Sequence, residues 1–288
     1  MLSERGLRRA VVDGRLIKLW QGAYAVPSPP PAGPAANPTL LAAAGHRVPV
    51  VTRLAAAELT LGQPVTACLH SAAELYGFAT DPDSRTHVIG AAPSLRPDLA
   101  IHRTPPQTPT NRARGFEVVG VAETAVRLAA LAANPPRSLA VLDAALRTNY
   151  TSAALLRETA ERLRVDGVAQ VRSLTAIADR RAESPPESWL RWVCHDAGFP
   201  PAVPQYWVHC PNGKWYRLDL AWPGIKLGLE YDGVAVHTGG ALTSDRKRLS
   251  ALNRAGWTVQ SVTAPMLWAG RAELMADLRA DLHQRGAL

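Results

Sequence analysis

The order of the elements predicted for residues 184–284 constrains the fold of this chain more than any other feature of its sequence. The motif SPPE from Ser184 to Glu187 has the pattern of a capping box with proline in the first turn, and it predicts a helix that Gly198 ends. The elements predicted after it are strands at 205–210, 215–221 and 225–231, a helix at 244–255, a strand at 257–262 and a helix at 270–284. Two strands joined through a helix of this length lie parallel in one sheet with a right-handed crossover, so we expect a mixed sheet here.

A proline-rich run, PSPPPAGPAANP at residues 27–38, divides the rest of the chain. Proline lacks a backbone donor and fixes φ, so this run predicts a linker or an extended connector. Before it, a short helix at 3–13 and two strands at 15–20 and 23–26 have the order of a winged helix. We therefore predict a partial winged helix with its linker at 1–38, a middle domain at 39–180 and a C-terminal domain at 181–288.

The middle domain mixes helical and strand patterns and is predicted to be one α+β unit. Its predicted helices are at 51–61, 70–77, 122–133, 138–148, 151–164 and 167–181, and its predicted strands are at 86–90, 99–103 and 116–121. The adjacent Pro135 and Pro136 predict a loop. We expect no cluster of chemically active side chains in this domain.

Composition excludes several classes of protein. With 47% hydrophobic and 19% charged residues, the 288-residue chain can bury a packed core, which excludes general disorder. The formal net charge of +8 is spread along the chain without a basic tail, and it fits an anionic partner met through folded surfaces. Cys68, Cys194 and Cys210 lack metal-ligand spacing and indicate a reducing compartment. Because no apolar leader and no apolar stretch of about 18 residues is present, we expect a soluble, cytoplasmic protein with no membrane contact.

Two carboxylates in the predicted hairpin 215–232 are the strongest candidates for chemistry. If the polar faces of its strands coincide, residue 219 lies opposite 228, so Asp219 and Glu230 are diagonal neighbours with Gly228 between them. Two carboxylates across such a gap suit Mg²⁺ or Mn²⁺, which prefer oxygen ligands. The alternative is a solvated polar face. We expect both faces of this sheet to be covered, which would bury the two carboxylates. The metal site is then favoured over a solvated face, because a buried carboxylate without a partner is costly.

Five motifs follow residue 183 in a fixed order: SPPESWLRWVCHDAGFP, RLDLAWP, LEYDG, SDRKRLSALNRAGW and VTAPML. Together they resemble the Vsr-like domains of the PD-(D/E)XK nuclease superfamily, relatives of the very-short-patch-repair endonuclease. The resemblance implies a restriction-endonuclease-like αβββαβ fold in which Asp219 and Glu230 bind the metal ion and Glu187 is a third acid. Asp232 stands where the superfamily has a lysine. The Vsr-like branch also lacks that lysine and has a nearby histidine, for which His237 is the candidate.

The activity that this resemblance implies is metal-assisted hydrolysis of DNA phosphodiester bonds, in repair or defence. Asp219 and Glu230 would hold Mg²⁺ or Mn²⁺, and His237 or Asp232 would orient the attacking water or accept its proton. Two alternatives stay open. The capping box alone accounts for Glu187, and a single histidine in a glycine-rich loop, such as His237, is often exposed and inert.

A basic run follows Asp245 in the first turn of the helix predicted at 244–255: Arg246, Lys247 and Arg248. An acid in a first turn complements the helix dipole, so Asp245 needs no further role. Cations at that end of a helix are unfavourable because they repel the positive end of the helix dipole. A phosphate partner is therefore more plausible for these three residues than for a charged run placed elsewhere. The alternative is a solvated helix face.

Residues 1–26, LHSAAELYGF at 69–78 and GFEVVGVAETAVRLAAL at 115–131 resemble the AbiEi family of antitoxins from type IV toxin–antitoxin systems. The resemblance implies a winged-helix repressor with a second α+β domain and a toxin partner. Cations on the helix that enters the major groove and on the wing would contact DNA: Arg5, Arg8, Arg9, Arg15 and Lys18. The family has two helices before this one, so the winged helix is predicted to be truncated. The same cations also fit an ordinary solvated surface.

Two functions therefore compete. In the first, the chain is a Mg²⁺-dependent DNA endonuclease, and its N-terminal half positions the nuclease domain on DNA. A repair protein is a possible partner. In the second, it is a non-catalytic DNA-binding regulator or antitoxin that retains the nuclease fold as a scaffold. The fold class predicted for both is a multidomain α+β and α/β protein, and the sequence does not define the oligomeric state.

Overall fold

The computed structural model describes residues 3–27, 48–78, 80–81, 83–91, 96–103, 106–107, 109–233 and 239–288, with only the backbone for 239–243. The chain divides into two compact units, residues 1–133 with 148–177 and residues 134–147 with 178–288. The second unit thus includes a helix that lies in the middle domain of the sequence-based division. Each unit combines helices with sheet, which confirms the predicted multidomain α+β class.

The described helices are α1 Glu4–Val12, α2 Val50–Leu61, α3 Leu69–Tyr76, α4 Val121–Leu131, α5 Pro135–Arg147, α6 Ala153–Arg162, α7 Val168–Leu174, α8 Pro185–Asp196, α9 Gly239–Arg254, α10 Ala264–Trp268 and α11 Arg271–Gln284. The described strands are β1 Ile17–Trp20, β2 Ala23–Ala25, β3 Thr66–Ala67, β4 Thr86–Ile89, β5 Leu99–His102, β6 Thr110–Ala113, β7 Phe116–Val119, β8 Val203–His209, β9 Trp215–Trp222, β10 Leu227–Asp232 and β11 Thr258–Thr263. Within these residues, no helix combines the length and apolar character needed to span a bilayer.

The N-terminal helix and hairpin form as predicted. The Ser3 hydroxyl accepts the Gly6 N–H at 3.2 Å and caps α1, and β1 pairs antiparallel with β2. Trp20 is buried in a core shared with Leu54 of α2, and its indole N–H donates to Thr60 at 3.1 Å. The hairpin is therefore anchored on the rest of the first unit. The proline-rich run beyond Pro27 lies outside the described residues.

A five-stranded sheet in the order β5-β4-β3-β7-β6 organises the rest of the first unit. Strands β4 and β5 are parallel, as are β3 and β7, while the other two pairings are antiparallel. Strands β4, β5 and β7 were predicted from the sequence, whereas β3 and β6 were not. Strand β3 has two residues, and the sequence of β6 is TNRA, so neither shows apolar alternation.

Helix α5 corrects the loop predicted at Pro135 and Pro136. These prolines occupy the first turn of the helix, and the Asn134 side chain accepts the Arg137 N–H at 3.1 Å. Proline is well suited to a first turn, because the N–H that it lacks would have no partner within the helix. The adjacent prolines therefore start a helix instead of interrupting one.

The second unit contains a four-stranded sheet in the order β11-β10-β9-β8. Strands β10 and β11 are parallel, which confirms the predicted crossover. The predicted register of β9 and β10 is wrong by two residues, because Gly228 pairs with Ala221 and not with residue 219. The connection explains the difference: residues 223–226 form a 3₁₀ turn that Lys226 closes with φ +51°. A Cβ at Gly228 would lie 2.7 Å from Leu218 Cδ1, so this glycine makes room for Leu218 and not for an ion between two acids.

Candidate functional site

Asp219 on β9 and Glu230 on β10 lie next in register to Leu220 and Leu229, the last residue pair of the two strands. Continuing the observed register by one residue places them directly opposite each other, not diagonally. Asp219 Oδ2 accepts the Tyr231 N–H at 2.9 Å. Burial raises the pKa of Asp219 to about 6; the Tyr231 N–H opposes this shift, and the negative charges of Glu187 and Glu230 add to it.

Glu187 is buried, and its carboxylate accepts hydrogen bonds at the start of α8. Its carboxylate accepts the Glu183 N–H at 2.9 Å and the Ser184 hydroxyl at 2.7 Å, while the Ser184 oxygen accepts the Glu187 N–H at 3.4 Å. The Gln205 amide donates to it at 2.7 Å. The predicted capping box is therefore present, and this acid contributes negative potential near Asp219.

Arg248, which was predicted to contact DNA, is half-buried and pairs with Glu230. Its guanidinium donates to both Glu230 oxygens, with Nη1 to Oε2 at 2.7 Å, and to the Arg217 carbonyl at 2.9 Å. Hydrogen bonding to Glu230 raises the pKa of Arg248. Across the described ranges, these acids do not meet as three metal-ligand atoms within 4.8 Å of one another. Arg248 supplies the positive charge next to Glu230, where Mg²⁺ or Mn²⁺ is predicted.

Arg246 and Lys247 are exposed, but the prediction that they lie in the first turn of their helix is wrong. Helix α9 begins at Gly239, five residues before the predicted start, so Asp245 and the basic run lie beyond its first turn. The two cations line an open cleft together with Lys214 and Arg254. Four cations around one cleft create a positive potential that attracts phosphate groups.

Two further residues, Asp232 and His237, were predicted to be catalytic. Asp232 is half-buried at the end of β10, where it pairs with Thr263 in the sheet. His237 lies outside the described residues.

The cations predicted to contact DNA at the N-terminus are all exposed: Arg5, Arg8, Arg9, Arg15 and Lys18. Arg8 pairs with Glu4 at 2.6 Å, but both side chains are nearly four-fifths exposed. Arg15 pairs with Asp13 at 3.0 Å, also at the surface. Exposed pairs of this kind contribute about 0–1 kcal/mol, so they exchange readily for contacts with phosphate.

Sequence reasoning missed a cluster of ring nitrogens and a carboxylate in the first unit. His70, Asp83 and His87 bring three ligand atoms within 4.8 Å of one another, although no such cluster was predicted for this part of the chain. Burial lowers the pKa of His70, and it lowers the pKa of His87 to about 4. Burial by itself would raise the pKa of Asp83, but hydrogen bonds from the side chain and the backbone of Arg85 hold it below its usual range. The three residues lie on a helix, a loop and a strand, so no local sequence motif predicts that they form a cluster.

Sequence reasoning also missed a buried ion pair in the second unit. Asp143 on α5 accepts hydrogen bonds from Arg191 and from the Ser188 hydroxyl at 2.7 Å, and it accepts the Asp179 N–H at 2.8 Å. Burial raises the pKa of Asp143 despite the nearby Arg191. This pair ties α5 to α8.

Comparison with known proteins finds a family similar to part of the first unit and two relatives of the chain. Residues 65–177 match the AbiEi antitoxin C-terminal domain, which supports the AbiEi resemblance at 69–78 and 115–131, while residues 1–26 lie outside the match. The chain is also 34% identical over 253 residues to two uncharacterized proteins of Mycobacterium tuberculosis, one from each of two strains, and the match covers 86% of this chain and 86% of each relative. The chain therefore belongs to the same family as these mycobacterial proteins.

The comparisons leave the C-terminal resemblance as a prediction. The AbiEi match ends at residue 177, before the segment that resembles the Vsr-like domains. No solved structure matches the chain.

Proposed function

We propose that this protein is a DNA-binding regulator of the antitoxin type. The observation that carries the proposal is the match of residues 65–177 to the AbiEi antitoxin C-terminal domain. The exposed basic helix and hairpin that precede this range support it, because DNA binding by a regulator requires such a surface. A protein of the antitoxin type would have a toxin protein as its partner.

The geometry of α1 suits a helix that enters a groove of DNA. Arg5, Arg8 and Arg9 are spaced i, i+3 and i+4, so they share one face of the helix. Ala10, the buried residue of α1, lies on the opposite face, so that face of the helix packs against the protein. The major groove of B-DNA admits one α-helix, and arginine is the residue that most often reads guanine there.

The hairpin completes this surface. Lys18 on β1 is exposed and pairs across the hairpin with Tyr24, and the Trp20 side chain on the same strand is buried. The strand thus presents a cation to solvent while its end is anchored in the core. A lysine on such a wing contacts phosphate and positions the helix without reading sequence.

The test is a binding titration with DNA from upstream of the gene that encodes this protein. Fluorescence anisotropy is measured with that duplex and with a scrambled duplex of equal length, in EDTA. We expect tighter binding to the upstream duplex, and about 1–3 kcal/mol weaker binding for Arg8→Ala. Arg137→Ala is the matched control, since Arg137 lies in the second unit. Equal binding of both duplexes by the native protein would contradict the proposal.

A second candidate function is metal-dependent hydrolysis of DNA by the second unit. The observation that favours it is the raised pKa of Asp219, to about 6, in the field of Glu187 and Glu230. Such shifts are common where carboxylates are gathered for function. Asp219 and Glu230 would hold Mg²⁺ or Mn²⁺, which would supply Lewis-acid polarisation of the phosphate. Glu230 would first have to be released from Arg248, and Asp219 would have to be ionised.

Cleavage assays separate the two functions. The native protein, Asp219→Ala and Glu230→Ala are incubated with duplex, mismatched, nicked and single-stranded DNA, with and without Mg²⁺ or Mn²⁺. The nuclease function predicts metal-dependent products from the native protein alone. Equal cleavage by all three proteins, or no cleavage by any of them, would rule out the nuclease function. The antitoxin proposal would still be tested by the binding titration.

A further inference from the structure

We propose that His70, Asp83 and His87 form a binding site for one divalent transition-metal ion of the Zn²⁺ type. His70 lies in the first turn of α3, Asp83 precedes β4, and His87 lies within β4. Asp83 Oδ2 is 3.8 Å from His70 Nδ1 and 3.2 Å from His87 Nε2. Four tetrahedral ligand atoms around Zn²⁺ lie about 3.3 Å apart, so small side-chain shifts would bring these three atoms into three of the four positions.

The two ring nitrogens are buried without hydrogen-bond partners. His87 Nε2 and His70 Nδ1 make no hydrogen bond of adequate geometry to any part of the chain that the structure describes. The His87 side chain is 2% exposed, and the His70 side chain is 17% exposed. A buried polar atom without a partner costs about 1–3 kcal/mol, and a cation at the centre of the cluster would satisfy both nitrogens at once.

The surrounding contacts prepare His87 as a ligand. Its Nδ1 lies 2.9 Å from Nε2 of His102, so a neutral His87 that donates from Nδ1 keeps a lone pair on Nε2. In that tautomer the lone pair lies 3.2 Å from a carboxylate oxygen of Asp83, and a cation bound between these two acceptors would remove their repulsion. Arg85 donates from Nη2 to the same carboxylate oxygen, Oδ2, at 2.6 Å and from Nε to Oδ1 at 3.0 Å, and these bonds orient the carboxylate.

The backbone holds the ligands in place. The His87 N–H donates to the Ser71 hydroxyl at 2.8 Å, and the His87 carbonyl accepts the Cys68 N–H at 3.2 Å. These bonds fix β4 against the start of α3, which bears His70. Ligands on rigid elements bind a metal with little cost in conformational entropy.

The ligand types select the ion. Two imidazole nitrogens and one carboxylate oxygen suit Zn²⁺ and its neighbours Co²⁺ and Ni²⁺, whereas Mg²⁺ and Ca²⁺ prefer oxygen ligands alone. Three protein ligands leave a fourth position for water or another oxygen donor. A site of this composition is distinct from the carboxylates of the second unit, which contain no imidazole among their described members.

Metal uptake by the full chain tests the proposal. The protein is dialysed against a chelator, then against buffer with Zn²⁺ in the presence of excess Mg²⁺, and bound zinc is counted per chain by mass spectrometry. Co²⁺ substitution adds an absorption band of tetrahedral nitrogen and oxygen ligation as an independent readout. We expect one ion per chain, and a rise in melting temperature on addition of Zn²⁺.

Conservative variants assign the ligands. His70→Gln and Asp83→Asn should bind Zn²⁺ at least tenfold more weakly and lose the Co²⁺ band, with circular dichroism checking that each variant is folded. His195→Gln is the matched control because His195 is exposed on α8, and Asp219→Asn controls for the acids of the second unit. Absence of uptake by the native protein, native-like uptake by both cluster variants, or loss of uptake in Asp219→Asn alone would overturn the proposal.

Discussion

Asp219→Asn should make the second unit more stable at neutral pH. The pKa of Asp219 is raised from its usual value near 3.8 to about 6, and burial is the largest cause. Below pH 4 the carboxyl is protonated in both the folded and the unfolded chain, so it carries no penalty. As the pH rises through 6, ionisation favours the unfolded chain, and the full penalty is present above pH 6. At about 1.4 kcal/mol per pKa unit, and with partial exposure to solvent, removing the charge should raise the free energy of unfolding by about 1–3 kcal/mol.

Urea unfolding followed by tryptophan fluorescence measures this difference. Seven of the eight tryptophans lie after residue 181, so the signal reports mainly on the second unit. The variant should be more stable than the native protein at pH 7.5, and this gain should disappear toward pH 4. Asp277→Asn, which removes an exposed acid from α11, is the control. A gain that is equal at both pH values, or a loss at pH 7.5, would refute the assignment of a destabilised carboxylate.

Two further substitutions test packing in the second unit. Asp143→Ala should lower the free energy of unfolding by about 3–5 kcal/mol, because it leaves the buried Arg191 without its carboxylate; a loss under 1 kcal/mol in urea unfolding would contradict the buried pair. Gly228→Ala should cost about 1–3 kcal/mol, because the added Cβ would lie 2.7 Å from Leu218 Cδ1. Combining it with Leu218→Ala should cost less than the sum of the two single changes, whereas simple additivity would show that this contact is not the cause.

Local signals in the sequence predicted local structure well. The capping box of Ser184 and Glu187 depends on residues three apart, and the structure has the predicted hydrogen bonds. The helix and hairpin before the proline-rich run also depend on caps, alternation and a glycine turn. These features are decided within a few residues, so the sequence alone is sufficient for them.

The register of the hairpin shows where a sequence pattern stops being sufficient. Alternation of polar and apolar residues places Asp219 and Glu230 on one face, but a shift of two residues keeps the same alternation. The turn decides between these registers, and the left-handed Lys226 that lengthens it is not a residue that typically marks such a turn. The pattern therefore predicted the shared face and not the pairing.

Contacts between distant segments were the least predictable. Arg248 was expected to contact phosphate from its place in a basic run, yet it pairs with Glu230 on a neighbouring strand. The cluster of His70, Asp83 and His87 needs the positions of a helix, a loop and a strand at once. A single sequence shows charges and ligand types but not which of them the fold brings together.

The salt dependence of DNA binding tests the central claim most directly. The affinity for the upstream duplex is measured from low to physiological salt for the native protein, for the combined Arg5→Ala, Arg8→Ala and Arg9→Ala variant, and for Arg246→Ala with Lys247→Ala. Each phosphate contact contributes about 0.9 to the slope of log K against log salt. If α1 binds DNA, the triple variant should bind at least tenfold more weakly with a slope shallower by about 2–3. A native slope and affinity in the triple variant, with the loss confined to the Arg246 and Lys247 variant, would contradict DNA binding through the N-terminal helix.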